Sequence, residues 1–289
     1  MDYVAALDVG GTTMKGGLVA RDGTVHDLRR RPTPRAEGPE RVIAAISAFA
    51  ADLARPRAGI RPLAVGLAVP GLVTATHAVF SAAFGWRDVP VAAFTEGVDL
   101  PVALGHDVRS AGEAEMAFGS GGDDVLYLPI GTGIAGALVL SKALYGGAGG
   151  WAGQIGHIPV RPGGAACGCG GRGCLAAYAS GGAMAARYGV DGAEEVARRA
   201  GEGDARAAEV WDEAVAALAL ALTTYTLLLD PAAIVIGGGV AQAGGTLLVP
   251  LRERMAGLLA FRRPPPIRTS RLGAVAGVMG AGLLGWRAL

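Results

Sequence analysis

Short apolar runs and longer amphipathic stretches alternate along the chain. The runs are rich in Val, Leu and Ile and are bounded by glycine, a pattern typical of buried strands. They are Tyr3–Val9, Met14–Ala20, Leu63–Val69, Val125–Ile130, Ala135–Leu140 and Ala232–Ile236. The stretches between them predict helices at Pro39–Ala54, Val108–Phe118, Cys174–Arg187, Glu194–Ala200, Asp204–Leu229, Gly239–Leu259 and Gly273–Arg287. Strands that alternate with helices predict an α/β protein.

One predicted helix contains a long uncharged segment. Ala214–Leu229 has Asp212 and Glu213 before it and Asp230 after it, and it includes three threonines and a tyrosine. The segment is short for a membrane span, so we expect a helix buried between layers of the protein. The N-terminus has no basic region ahead of an apolar stretch, and no secretory signal is expected.

Two segments of the chain repeat one pattern. LDVGGTTMKGGLV (Leu7–Val19) and LPIGTGIAGALV (Leu128–Val139) each read as a strand, a turn of Gly and Thr, and a second strand. Two copies predict two similar lobes. A glycine turn exposes backbone N–H groups that can bind an anion, and Thr12, Thr13 and Thr132 add hydroxyls. The repeat favours phosphate binding, with two ordinary glycine hairpins as the alternative.

A third glycine turn, IVIGGGV (Ile234–Val240), follows a predicted strand and opens a helix, where a nucleotide can lie on backbone amides. The chain contains no G-x-x-x-x-G-K-[ST] loop, which excludes the P-loop. GTGIAG, residues 131–136, has the letters G-x-G-x-x-G after a predicted strand, but a second predicted strand follows it where the Rossmann motif has a helix, so that motif is not expected either.

All three cysteines lie in one short stretch, shortly after a histidine. His157, Cys167, Cys169 and Cys174 offer one imidazole and three thiolates, the set that suits tetrahedral zinc. Four protein ligands leave no position for water or substrate, so we expect a structural zinc site. Three reduced cysteines in a glycine loop are the alternative. An odd, clustered number of cysteines argues against a disulfide framework and predicts a reducing, cytoplasmic location.

Composition limits the partners of the chain. At 289 residues it is long enough for two lobes, each with a core, and its 48 glycines predict many tight turns. A net charge of +1, without an expected face dense in Lys and Arg, gives no reason to expect nucleic acid or an anionic membrane. Small molecules are the expected ligands.

The order of these motifs resembles that of the ROK sugar kinases, bacterial glucokinase-like members of the actin-like ATPase superfamily. LDVGGTTMKGGLV and LPIGTGIAGALV resemble the two phosphate motifs, and IVIGGGVAQAGGTLLVPL the adenosine-side motif. GLAVPGLV resembles the sugar-side segment, GHDVRSAGEAE the segment with the catalytic aspartate, and GQIGHIPVRPGGAACGCGGRGCLA the zinc signature. Six motifs in the same order make the resemblance specific, and it runs almost from end to end.

The resemblance implies an α/β fold with two actin-like (ribonuclease H-like) lobes and a cleft between them. The implied small lobe comprises residues 1–108 and 274–289, and the large lobe residues 109–273 with the zinc-binding loop 157–174. Family members that regulate transcription carry a helix-turn-helix domain before the first phosphate motif. Because that motif begins at Leu7 here, we expect no such domain.

The implied activity is ATP-dependent phosphoryl transfer to the primary hydroxyl of a hexose or hexose derivative. Such a transfer needs in-line positioning, charge neutralisation at the phosphates and a group that accepts the hydroxyl proton. Asp107 matches the catalytic base of the family, and it stands between a predicted strand, VALG, and a predicted helix. The alternative is that Asp107 only caps the helix that begins at Val108.

The resemblance also implies which residues bind ATP. Asp8 matches the aspartate that organises Mg²⁺ or its waters, since a hard cation prefers carboxylate oxygen. Lys15 is expected to neutralise phosphate charge or, alternatively, to be an ordinary exposed strand lysine. The residues expected to contact ATP through backbone amides and hydroxyls are Gly10, Gly11, Thr12, Thr13, Gly131, Thr132, Gly133, Gly237, Gly238 and Gly239.

On the sugar side, the implied contacts are Gly71, His106, Asp107, Gln154 and His157. His157 matches a family histidine that binds zinc and contacts the sugar with its other face, so zinc would fix the orientation of the imidazole ring. Three positions depart from the glucokinase pattern: His106 replaces Asn, Gln154 replaces Glu, and Ala176 replaces Glu.

Two of these changes remove carboxylates that accept hydrogen bonds from sugar hydroxyls. Hydrogen bonds to charged acceptors contribute roughly 1.5–3 kcal/mol each, so we expect glucose to be a poor substrate. Two alternatives remain open: a non-catalytic sugar or nucleotide sensor that keeps the fold, and a kinase that uses polyphosphate instead of ATP. By analogy with the family, we expect a homodimer or a dimer of dimers.

Overall fold

The computed structural model describes residues 1–57 and 59–289 and consists of two compact units. The first unit comprises Met1–Gly121, Gly146–Trp151 and Ala274–Leu289, and the second comprises Gly122–Tyr145 and Ala152–Gly273.

Strands and helices alternate in both units. The strands are β1 (Tyr3–Val9), β2 (Thr13–Ala20), β3 (Val25–Pro32), β4 (Val65–Val69), β5 (Leu72–Val73), β6 (His77–Ser81), β7 (Trp86–Pro90), β8 (Val102–His106), β9 (Val125–Pro129), β10 (Ala137–Leu140), β11 (Ala143–Tyr145), β12 (Ala233–Gly237) and β13 (Ile267–Thr269). The helices are α1 (Pro39–Ala54), α2 (Asp107–Phe118), α3 (Ala176–Ala179), α4 (Gly181–Tyr188), α5 (Ala193–Gly201), α6 (Ala205–Leu229), α7 (Gly245–Leu258) and α8 (Ala276–Arg287). Short 3-10 helices occur at Arg35–Glu37, Val91–Phe94, Ile155–His157, Val240–Ala243 and Gly273–Val275.

The two units share one sheet topology. The first sheet has the order β3-β2-β1-β4-β8, and the second has the order β11-β10-β9-β12-β13. In the first sheet, β1, β2 and β3 are antiparallel neighbours, and β4 and β8 lie on the other side of β1 and run parallel to it. In the second sheet, β9, β10 and β11 are arranged in the same way, with β12 and β13 parallel to β9. The repeated Gly/Thr turn joins β1 to β2 in one unit and β9 to β10 in the other. The predicted α/β architecture and its internal repeat are therefore confirmed.

Strand β1 is covered on both faces, which explains why it is apolar at almost every position. Leu7 and Val9 pack into a core with α1, while Val4 and Ala6 pack against α8. Helix α8 approaches the sheet closely, because a Cβ atom at Gly66 of β4 would overlap the carbonyl oxygen of Ala281. Both core layers hold β1 in place and fix the position of the turn that follows it.

The first unit extends beyond residue 108, where the sequence places the end of the implied small lobe. Residue 108 lies in the first turn of α2, which packs against α8. A Cβ atom at Gly280 of α8 would overlap the backbone at Ser110, so the two helices are in direct contact. The whole of α2 therefore belongs to the first unit, which continues to Gly121.

Two predicted helices are shorter or broken in the structure. The stretch predicted as Cys174–Arg187 forms α3 and α4, which are separated by Ser180 in an extended conformation. The Ser180 hydroxyl accepts a hydrogen bond from the N–H of Ala183 (3.1 Å) and caps α4. The stretch predicted from Gly239 forms a 3-10 helix at Val240–Ala243, and the α-helix begins only at Gly245, because Gly244 between them has a positive φ of 55°.

Helix α6 is the central element of the second core. Its buried side chains include Trp211, Leu218, Leu222 and Tyr225, and they pack with those of β9 and β12. In the part of the chain that the structure describes, α6 alone is long and apolar enough to cross a membrane by length and composition. Since 56% of its most apolar window is buried inside the protein, we interpret α6 as the buried core helix that the sequence predicts.

Candidate active site and metal centre

The turn between β1 and β2 is held in place by Thr33, the residue that follows β3. The N–H of Gly10 donates to the carbonyl of Thr13 (3.2 Å), which closes the turn. Thr33 fixes it from outside, since its hydroxyl donates to the carbonyl of Gly10 (2.8 Å) and its N–H to that of Thr12 (2.9 Å). Gly11, Thr12 and Thr13 remain at least partly exposed. The candidate phosphate residues of this motif therefore form one accessible loop, and sequence reasoning missed the part played by Thr33.

Two carboxylates lie at the same edge of the first sheet. Strands β1, β4 and β8 run parallel, Asp8 is near the end of β1, and Asp107 directly follows β8. Burial and the charge of Asp107 raise the pKa of Asp8 to about 7, and Lys15 opposes the shift. Burial raises the pKa of Asp107 to about 6, opposed by a hydrogen bond from the N–H of Val108 (2.7 Å). A cation bound between these carboxylates would relieve their repulsion.

The residue that caps α2 is His106 and not Asp107. The Nδ1 atom of His106 accepts a hydrogen bond from the N–H of Arg109 (3.3 Å), and Asp107 is the first helical residue. Burial and Arg109 lower the pKa of His106 to about 3, so the ring is neutral and its remaining proton is assigned to Nε2. The N-cap bond of α2 therefore belongs to His106, while the carboxylate of Asp107 accepts the N–H of Val108 and is 19% exposed.

In the second unit, the second phosphate motif and the adenosine-side motif form adjacent turns. Ile130 joins them: its N–H donates to the carbonyl of Gly237 (2.9 Å), and its carbonyl accepts from the N–H of Val240 (3.2 Å). Gly238 has a positive φ of 78°, and a Cβ atom there would overlap the carbonyl of Ile130. The turn of the second phosphate motif consists of Gly131, Thr132 and Gly133, and a Cβ atom at Gly131 or Gly133 would meet open space. The structure thus brings two of the three predicted glycine turns together.

The imidazole of His157 and the three thiols form a compact cluster. The ligand atoms of His157, Cys167, Cys169 and Cys174 all lie within 4.8 Å of one another. The Sγ atoms of Cys169 and Cys174 are 3.8 Å apart, and Sγ of Cys167 is 3.7 Å from Nδ1 of His157. Tetrahedral ligands about 2.3 Å from a zinc ion are separated by nearly this distance. The four residues therefore fit a metal ion, as the sequence predicts.

The neighbourhood of Cys174 makes its thiol a poor acid without a cation. Burial and the other two thiols raise the pKa of Cys174 to about 12, whereas the N–H of Gly171 lowers the pKa of Cys169. Since metals bind thiolates, an ion in this cluster would displace the Cys174 proton.

A second layer of side chains anchors the cysteine loop to the body of the second unit. The Tyr178 hydroxyl accepts a hydrogen bond from the N–H of Ala165 (2.8 Å), and the guanidinium of Arg161 lies 4.9 Å from the ring centre of Tyr178. Arg161 is also paired with Glu213 of α6 (2.7 Å). The sequence did not reveal the role of these residues. An aromatic residue on a short helix, and an Arg and a Glu far apart in the sequence, do not form a recognisable motif.

The sugar-side residues are divided between the units. Gly71, His106 and Asp107 belong to the first unit, and Gln154 and His157 to the second. Gly71 has a positive φ of 109°, and a Cβ atom there would overlap the carbonyl of Phe80. Gln154 precedes the 3-10 helix that ends at His157.

Arg109 was also missed by sequence reasoning. It lies two residues after Asp107, and its Nη1 atom donates to the carbonyl of Gly150 (3.3 Å) in the Gly146–Trp151 segment of the first unit. The helix that begins at Asp107 is thereby tied to a glycine-rich loop.

Known proteins are similar to this chain over most of its length. The model of the family described as ROK matches residues 4–287. A glucokinase of Halalkalibacterium halodurans is 33% identical over 98% of this chain and 94% of its own, and an N-acetylmannosamine kinase of Escherichia fergusonii is 32% identical over 84% of each. The crystal structure of a ROK family glucokinase from Streptomyces griseus in complex with glucose and AMPPNP superposes with a TM-score of 0.87, at 29% identity over 99% of both chains. The match extends over both units.

Proposed function

The chain belongs to the ROK family and is a sugar kinase, and we propose that it transfers the γ-phosphoryl group of ATP to the primary hydroxyl of a hexose or hexose derivative other than glucose. The observation that carries the proposal is the position of the Asp107 carboxylate: it lies at the same sheet edge as Asp8, and the N-cap bond of α2 is made by His106 instead.

Asp107 accepts the proton of the attacking hydroxyl, and the turn Gly10–Thr13 and the turn Gly131–Gly133 bind phosphate oxygens through N–H and hydroxyl groups. Lys15 neutralises phosphate charge. The turn Gly237–Gly239 leaves room for the nucleotide to approach the backbone. Mg²⁺ bound with ATP would supply further charge neutralisation, and Asp8 would hold it or its waters.

We assign zinc to the Cys₃His cluster. Four protein ligands make it a closed, structural site, whose effect on catalysis is to fix the ring of His157 for contact with the sugar. The other sugar contacts in this proposal are Gly71, His106, Asp107 and Gln154. A homodimer or dimer of dimers and a cytoplasmic location remain predictions.

A substrate screen tests the proposal. The protein is incubated with Mg²⁺ and either ATP or polyphosphate, together with neutral hexoses and acetamido-sugars, and phosphorylated product is measured by mass. Turnover of at least one sugar with ATP is the expected result. Turnover with polyphosphate alone would overturn the assignment of the donor, and ATP binding without turnover of any sugar would indicate a sensor.

Glucose is expected to have a Michaelis constant in the millimolar range or above. Restoring both carboxylates, in Gln154→Glu/Ala176→Glu, is expected to lower that constant roughly 10²- to 10⁴-fold, the range of two charge-assisted hydrogen bonds of about 1.5–3 kcal/mol each. Steady-state kinetics with glucose and ATP measure the effect. Ala177→Glu is the matched control, since it adds the same charge one residue along α3. A glucose constant well below millimolar in the unchanged protein would contradict the proposed specificity.

The pH dependence follows from the raised pKa of Asp107. A base must be unprotonated, and burial raises the pKa of this carboxyl to about 6, so its acid form persists to higher pH than in an ordinary aspartate. We expect kcat/KM for the sugar to be level above pH 6 and to fall about tenfold per pH unit below it. A pH–rate profile with saturating Mg²⁺-ATP measures this. A rate that stays level down to pH 4.5 would contradict the assignment of Asp107 as the base.

A further inference from the structure

The start of helix α8 lies directly beside the carboxylate of Asp8. A Cβ atom built on Gly277, the second residue of α8, would be 2.8 Å from Oδ1 of Asp8 and closer still to Cγ and Oδ2. All three atoms of the carboxyl group therefore lie against the bare backbone of this glycine. Asp8 occupies space that any other residue at position 277 would fill with its own side chain.

The same helix start also holds Lys15. The Nζ atom of Lys15 donates a hydrogen bond to the carbonyl of Ala274 (3.2 Å), in the 3-10 turn that leads into α8. Lys15 is the cross-strand neighbour of Asp8 in the β1–β2 pair. Both charged residues of the first phosphate motif thus contact the segment from Ala274 to Gly277.

The carboxylate of Asp8 is held by packing and not by hydrogen bonds. Among residues 1–57 and 59–289, no side-chain or backbone donor bonds to it; burial and the charges of Asp107 and Lys15 are the influences that act on it. Its lone pairs are therefore available to an external partner, and a cation or the water bound to a cation fits an anionic oxygen of this kind.

We propose that Gly277 is a positioning residue of the phosphate site: its lack of a side chain allows α8 to hold the Asp8 carboxylate where it meets the cation that accompanies ATP. The inference rests on the proposed function, because it assumes that ATP binds with Mg²⁺ at the first phosphate motif. Carbon atoms in contact keep about 3.5 Å apart, so a Cβ atom at position 277 would move the carboxylate by on the order of 1 Å. A displacement of that size in a catalytic site lowers rates by up to about 10²-fold.

The test compares Gly277→Ala with Gly282→Ala, which lies in the same helix. The three atoms nearest to a Cβ atom at Gly282 all belong to Val19 of β2 (2.5 Å to Cγ1) and none to Asp8, so the substitution disturbs the packing between α8 and β2 instead. ATP affinity is measured by calorimetry with Mg²⁺ and with EDTA, and kcat is measured alongside. For Gly277→Ala we expect Mg²⁺-dependent ATP affinity to fall at least 10-fold, the affinity in EDTA to stay within twofold, and kcat to fall about 10²-fold. For Gly282→Ala we expect the Mg²⁺ dependence to be kept.

A double-mutant cycle with Asp8→Ala keeps the proposal testable if Gly277→Ala folds poorly. Removing the carboxylate makes room for the new methyl group, so Gly277→Ala should change neither the melting temperature nor ATP affinity in the Asp8→Ala background. Equal effects in both backgrounds would overturn the inference, as would a full Mg²⁺ response in Gly277→Ala. Sugar phosphorylation by the unchanged protein would in that case leave the kinase assignment standing. Absence of Mg²⁺-dependent ATP binding in the unchanged protein would overturn both.

Discussion

Asp107→Asn is expected to lower kcat by about three orders of magnitude while ATP affinity stays within about twofold. General base catalysis by a positioned carboxylate contributes roughly 10²–10⁴ to the rate, and an amide of the same shape cannot accept the hydroxyl proton. The fold should be unaffected, because His106 caps α2 and remains in place. Kinetics with the best sugar of the screen, together with calorimetry of ATP binding, measure the two effects.

The stability of this variant provides an independent check. Burial raises the pKa of Asp107 above its unfolded value, so the charged form opposes folding at any pH above about 6. Asparagine removes that charge, and the melting temperature at pH 7.5 should be equal to or above that of the unchanged protein. Asp99→Asn, on the surface of the same unit, is the control and should leave both activity and stability unchanged. Retention of more than a tenth of the turnover in Asp107→Asn would exclude Asp107 as the base.

Cys169→Ser is expected to abolish metal binding and to raise the Michaelis constant of the sugar about 10- to 100-fold. The cluster needs all four ligands to close around zinc, and loss of support for a metal-held histidine typically weakens function by that factor. The effect on the fold should be local, because the second core is built from α6, β9 and β12 and does not include the exposed part of the cysteine loop.

Metal content by mass spectrometry, circular dichroism and sugar kinetics separate these effects. We expect one zinc ion per chain in the unchanged protein and less than a tenth of that in Cys169→Ser, with helix content kept. Ala166→Ser, an exposed position in the same loop, is the matched control and should retain the metal. A metal-free unchanged protein, or a Cys169→Ser variant with normal sugar kinetics, would contradict the role assigned to the cluster.

Motifs made of consecutive residues were predictable from the sequence. Glycines predict the turns after β1 and β9, because the residues of each turn are consecutive in the sequence. The spacing of the cysteines likewise predicts the Cys₃His cluster. Strand β3 could not be predicted in this way, because its segment VHDLRRRP is mostly exposed and carries charge where an apolar alternation would be needed. It forms because β2 offers a free edge to pair with.

Contacts between residues far apart in the sequence could not be predicted. The sequence favoured Asp107 as a cap if it was not a base, whereas the structure gives the cap to the preceding histidine. The meeting of Asp8 with Gly277 depends on how α8 packs against the first sheet, and a lone glycine in a helix rich in small residues does not indicate a partner at the other end of the chain. Residues such as Thr33 and Tyr178, which hold other residues in place, are invisible for the same reason.

Because α8 covers one face of β1, the first unit cannot be completed until α8 has been synthesised. Val4 and Ala6 are synthesised about 270 residues before the helix that shields them, which begins at Ala276. Every strand and helix of the second unit precedes that point, so the second unit is able to fold while the first still exposes an apolar sheet face. The first unit therefore exposes this face until α8 has been synthesised, and it is open to aggregation during that interval.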